Sequence, residues 1–134
     1  MTGVQTCALP IYRELSWLSF NQRVLELAQD SNTPILERCR FLSIFSSNLD
    51  DFYMIRVATL KRKLETGVTK ANTAGYTPAE LMVELSQAVE QLVMRQSKLF
   101  HNELLPALTN AGINIIHWAD LSSDEKLEIG RAHV

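Results

Sequence analysis

From Trp17 to Leu105 the apolar residues of this chain return every three or four positions, and a stripe of that period can be buried only by helices packing on one another. Trp17, Phe20, Val24, Leu27 and Ala28 predict a first amphipathic helix from about Ser16 to Gln29. Asp30-Ser31-Asn32 ends it, and Thr33-Pro34 restarts the chain as N-cap and first helical residue. Between Ile35 and Phe45 the apolar residues Ile35, Leu36, Cys39, Leu42, Ile44 and Phe45 cover most of a helix surface, a density that predicts burial between neighbours. Ser46-Ser47-Asn48 reads as an interruption, and Leu49 to Glu65 as a third helix with Leu49, Phe52, Val57, Leu60 and Leu64 inward. Asp50 and Asp51 at its start, with Lys61, Arg62 and Lys63 near its end, suit the helix dipole. Gly67 to Tyr76 is a polar, small-residue loop. Thr77-Pro78-Ala79-Glu80 combines an N-cap, a first-turn proline and a capping-box glutamate, the clearest helix start in the chain. Leu81, Leu85, Ala88, Leu92, Leu99 and Leu105 carry the last long stripe, in which Pro106 predicts a kink or restart and Asn110-Ala111-Gly112 a stop. The expected fold class is therefore all-α, an antiparallel bundle of about four helices over residues 12–112.

After Gly112 the texture changes. Ile113-Asn114-Ile115-Ile116-His117 reads as a short strand, and Ser122-Ser123-Asp124-Glu125 as the cap of a further helix. A strand without a partner is not stable alone, so residues 113–128 read as the truncated start of an α+β domain. The two ends have neither period. Residues 2–11, Thr-Gly-Val-Gln-Thr-Cys-Ala-Leu-Pro-Ile, resemble a translated short-read sequencing adapter. With one choice of codons, Ile129-Gly130-Arg131-Ala132-His133-Val134 is encoded by the reverse complement of part of the same stretch. Residues 1–11 and 129–134 are accordingly read as non-native tails.

The chemistry the sequence offers is narrow. With 46% apolar and 21% charged residues, a mean hydropathy of -0.02 and a net charge of -2, the composition is that of a globular domain, not of a nucleic-acid or membrane-surface coat. No apolar run has the length of a membrane span. Cys7 and Cys39 give neither a disulfide framework nor a zinc pattern. Gly3, Gly67, Gly75, Gly112 and Gly130 are too scattered for a phosphate-cradling loop. His101 and His117 stand apart from other ligand-type residues and read as ordinary surface or boundary histidines; no metal site is expected. Cys39, on an apolar helix face, reads as a small core residue.

Two features rise above this background. Ser46-Ser47-Asn48-Leu49-Asp50-Asp51-Phe52-Tyr53 reads either as a helix cap through Ser47 or as a polar notch whose Asn48 amide offers a donor and an acceptor to a nucleobase edge. Arg56, Lys61, Arg62, Lys63 and Lys70 face only Glu65 across the same span, either as a solvated helix end or as a patch for a polyanion.

Arg13-Glu14-Leu15-Ser16-Trp17-Leu18-Ser19-Phe20-Asn21, Leu36-Glu37-Arg38 and the block from Phe41 to Val57 closely resemble the N-terminal domain of the long-chain polyphosphate kinase family. Asp51 departs from it, since the family usually carries Glu there, and Pro106 sits where some members run straight through. The resemblance implies a cytoplasmic or membrane-peripheral enzyme that moves the terminal phosphate of ATP, through an active-site histidine, onto polyphosphate. It implies that this domain is one wall of the nucleotide site, with Asn48 on the adenine, and that the catalytic histidine and the Mg2+ and phosphate ligands lie in later domains. It also implies that the full-length enzyme is a homo-oligomer, and that this chain alone is inactive. The competing expectation is a non-catalytic helical adaptor that presents the Arg56 to Lys70 patch to a polyanion or a partner protein.

Overall fold

The computed structural model of the protein describes residues 13–72 and 74–131. Residues 1–11 of the first suspected tail lie outside them, as do 132–134 of the second. Six α-helices follow in order: α1 (Arg13–Gln29), α2 (Ile35–Phe52), α3 (Ala58–Glu65), α4 (Pro78–Leu99), α5 (Leu105–Asn110) and α6 (Ser123–Arg131). Two π-helical turns, Tyr53–Val57 and Phe100–Leu104, join α2 to α3 and α4 to α5 with helical backbone throughout. The domain is thus three helical rods, α1, 35–65 and 78–110, with a short helix after them. The described residues contain no strand, in keeping with an all-helical bundle.

The rods close on one core. Leu18, Leu25 and Ala28 of α1, Leu42, Phe45, Leu49 and Phe52 of α2, Leu60 of α3, and Leu81, Leu85, Val89, Leu92 and Leu99 of α4 form it with Leu104. Trp17 stacks on Phe52 with ring centroids 4.9 Å apart. The α1 stripe differs from the one expected. Its buried residues are Leu18, Asn21, Leu25 and Ala28, while Phe20 and Leu27 are each about half exposed. The core phase of α1 runs through a polar side chain, which a search for apolar residues alone passes over. Leu36 and Ile44 are exposed as well, so the dense 35–45 stretch is not covered on every side within these residues.

The break expected at Ser46-Ser47-Asn48 does not occur, whereas the restart expected at Pro106 does. Ser46, Ser47 and Asn48 lie in mid-helix, so Ser47 caps nothing and Asp50 and Asp51 are not in a first turn. Ser46 instead turns its hydroxyl back to the Leu42 carbonyl, 3.1 Å away, and accepts from Gln96 of α4. A Ser-Ser-Asn run breaks a helix only where its side chains find better partners outside the helix; here they serve it. Thr33 likewise makes no cap, and Pro34 occupies that position with extended backbone. At Pro106 the α-helix resumes after the π turn, with the proline in the first turn of α5. In a straight α-helix the ring would collide with the carbonyl four residues back, that of Asn102, but Asn102 lies in the π turn. The same turn explains why Leu104, not Leu105, is fully buried: a five-residue step from Leu99 keeps both on one face.

The capping box forms as expected. Thr77 Oγ1 accepts from the Glu80 amide at 3.3 Å while Glu80 Oε2 accepts from the Thr77 amide at 2.9 Å. Ser122 and Glu125 repeat the arrangement before α6. Both carboxyls lie below their ordinary value of 4.5, Glu80 through the Thr77 amide first and Glu125 through the Ser122 hydroxyl first. A lowered folded pKa gives stability that is complete above 4.5 and is lost as the pH falls through the folded value. We expect Thr77→Ala to weaken the start of α4 by about 1 kcal/mol. The carboxyl titration of Glu80, followed by NMR, should at the same time move up only part of the way, because the residue-77 amide still donates to it when the hydroxyl is gone; a titration that does not move would show that the hydroxyl plays no part.

The Ile113–His117 run, expected to be a strand, is exposed and unpaired, and a 3-10 turn (Trp118–Asp120) follows it. Its isoleucines have the composition of a strand, but no second strand is present among the described residues to accept its hydrogen bonds. The helix expected after it is α6.

Candidate functional site

Asn21 and Asn48 are brought together between α1 and α2. Asn21 is fully buried and donates from Nδ2 to the Phe45 carbonyl at 3.1 Å. That bond fixes its amide orientation, because a carbonyl can only accept. Its Oδ1 therefore faces the other way and accepts from Asn48 Nδ2, also at 3.1 Å. The chain of donors in turn fixes the half-buried Asn48: one N–H is spent on Asn21, and Oδ1 and the second N–H remain. Ser47 caps nothing, and Asn48 lies in mid-helix with its amide bonded to Asn21. Asn21 was missed by sequence reasoning, although an asparagine in register with Leu18, Leu25 and Ala28 was the available signal.

The basic residues divide differently from their order in sequence. Arg56 and Lys63 line a cleft of about 630 Å³ together with Lys70 of the loop and Arg13 at the start of α1. Lys61 and Arg62 are exposed and do not line it. Helical geometry makes the division, since Arg56 and Lys63 are seven residues apart, two turns, on one side of the rod. Arg13 was missed because it is distant in sequence. Asn72 shapes the far wall, its Oδ1 accepting from the amides of Ala74 and Tyr76 at 3.0 Å each. Gly67 and Gly75 take positive φ at the ends of this loop.

The remaining candidates stay apart from both places. Cys39 is a free, partly buried thiol packed against the core, and His101 lies beside it only along an apolar groove between α2 and α4. His101 Nδ1 is 2.9 Å from the Ser97 carbonyl one turn back, an ordinary intrahelical contact. His117 is exposed in the unpaired run. Among the described residues no group of three His, Cys, Asp or Glu side chains could hold a metal ion, and no helix is long and apolar enough to cross a membrane.

Comparison with known proteins agrees with this architecture. The family model of the polyphosphate kinase N-terminal domain matches residues 11–116. A polyphosphate kinase of Streptomyces coelicolor is 45% identical over 117 residues, covering 87% of this chain and 16% of its own length. One from Mycobacterium tuberculosis is 50% identical over 114 residues, covering 85% and 15%. The crystal structure of polyphosphate kinase from Porphyromonas gingivalis superposes with a TM-score of 0.68 at 33% identity, covering 90% of this chain and 17% of that one. The chain thus spans about one sixth of the length of these relatives. It belongs to the polyphosphate kinase family, of which it carries the helical N-terminal domain.

Proposed function

We propose that this domain is one wall of the adenine pocket of a cytoplasmic enzyme that transfers the terminal phosphate of ATP to polyphosphate, with Asn48 reading the base. The carrying observation is the Asn21–Asn48 pair, which leaves on Asn48 one carbonyl oxygen and one N–H in a fixed orientation. Those two groups match the amino donor and ring-nitrogen acceptor of adenine. In this reading the chain contributes positioning, which matters because phosphoryl transfer is catalysed largely by geometry and electrostatics. The phosphorylated histidine and the Mg2+ come from domains outside this chain.

Asn48→Ala in the full-length enzyme tests the reading. Loss of hydrogen bonds to the base should raise KM for ATP about tenfold, the equivalent of ~1.4 kcal/mol, while kcat falls less. An unchanged KM would return Asn48 to a purely structural partner of Asn21.

A further inference from the structure

The geometry points to an anion site separate from Asn48: the cleft lined by Arg13, Arg56, Lys63 and Lys70 binds an extended chain of phosphates. Its four cations come from three places, the start of α1, the rod 35–65 and the loop before α4, and Glu14 is the one acid among the lining residues. None of the four forms an ion pair with another described residue, whereas Arg38, Arg40 and Arg95 all do. Unpaired like charges held around one concavity repel one another, and a polyanion placed between them relieves that repulsion. The chain as a whole is acidic, so the field is local to the cleft.

Shape and chemistry narrow the ligand. At about 630 Å³ the cleft is in the range that holds ligands much larger than a single phosphate. Its cationic lining, two guanidinium and two ammonium groups, supplies donors suited to phosphate oxygens, while the Thr59 hydroxyl is spent on the Ile55 carbonyl. Base recognition would call for aromatic faces open for stacking. Tyr76 is the single aromatic residue in the lining and is partly buried against the core. A phosphate chain without bases fits these walls better than a nucleic acid does. The inference rests on the chain belonging to an enzyme that acts on polyphosphate, but not on the role of Asn48.

The test is an NMR titration of the isotope-labelled chain with orthophosphate, tripolyphosphate, longer polyphosphate, single-stranded RNA of matched charge, and ATP. We expect affinity to rise with phosphate chain length and to fall with added salt, with shifts centred on Arg56, Thr59, Lys63 and Asn72. Arg56→Glu/Lys63→Glu should weaken tripolyphosphate binding at least about tenfold, and Lys61→Glu/Arg62→Glu less than about threefold. The two variants change the total charge equally, on exposed positions of the same rod, so their difference reads the cleft alone. Equal losses in both, matched-charge RNA binding as tightly as polyphosphate, or no polyphosphate binding at all would each overturn the proposal. Shifts caused by ATP around Asn21 and Asn48 report separately on the adenine reading, so either idea can fail without the other.

Discussion

Arg38→Ala should destabilise the domain by about 2–3 kcal/mol, and Glu103→Ala by less than about 1 kcal/mol, although the two residues are partners in one ion pair. Arg38 is buried near the start of α2, and its Nε donates to the Ala28 carbonyl at 2.8 Å. That carbonyl is in the last turn of α1, where no amide of the helix itself remains to reach it. A charged donor at a helix C-terminus satisfies the orphan group and complements the dipole. Arg38 also reaches Glu103 in the second π turn, 2.7 Å from its Nη2. One side chain thereby ties the end of α1 and the start of α2 to the rod 78–110.

The asymmetry comes from burial. Side-chain exposure is 9% for Arg38 and 56% for Glu103. Removing Glu103 leaves a guanidinium that still holds Ala28 and can be hydrated on its outer side. Removing Arg38 strands a carbonyl and opens space between helices. Arg38→Met separates these effects, since it restores most of the volume and none of the hydrogen bonds. It should recover less than half of the loss. Urea denaturation of the four proteins measures the differences. Equal effects of the Arg38 and Glu103 substitutions would sink the account, as would a neutral Arg38→Met.

The same contrast between local and distant causes decides what could be read from the sequence. The capping box at Thr77 was legible because donors and acceptors three residues apart specify it completely. The inward residues Leu81, Leu85, Leu92 and Leu99 were legible for a similar reason, since helix geometry fixes their face. Ser46-Ser47-Asn48 was misread because the partner that keeps the helix intact is elsewhere. Gln96 reaches Ser46 from α4, and the Phe100–Leu104 turn makes room for Pro106. At the candidate site, Asn48 was named from the sequence, but its partner Asn21, 27 residues earlier, was not. Arg13 joined the basic cleft in the same way, while Lys61 and Arg62 left it by helical phase alone. Polar residues lying in register with an apolar stripe were the signal worth following. Asn21 has that position in α1, and Arg38 is the buried polar residue of α2.

The second large effect is a coupling between Asn21 and Asn48 that neither single substitution reveals. Asn21→Leu keeps the volume of the side chain and removes both of its hydrogen bonds. The Phe45 carbonyl then retains its bond within α2, because a mid-helix carbonyl also accepts from the amide four residues on. Asn48 fares worse, since its Nδ2 now faces a methyl group in a half-buried position. Asn48→Ala does the reverse and leaves the fully buried Asn21 Oδ1 without a donor. Each single change should therefore cost about 1–3 kcal/mol, most of it the penalty for one stranded group. The double variant strands neither, so its loss should fall short of the sum of the two by about 1–2 kcal/mol. Chemical denaturation of this chain measures that cycle without any ligand. KM for ATP in the full-length enzyme adds the functional arm. Asn21→Leu should raise it although Asn21, fully buried, is out of reach of the nucleotide, because an Asn48 released from Asn21 no longer holds its carbonyl in one direction. Strict additivity in the stability cycle would mean that the two side chains do not act as a pair. A KM unmoved by Asn21→Leu in an otherwise folded enzyme would mean that the orientation of Asn48 is set by something other than Asn21.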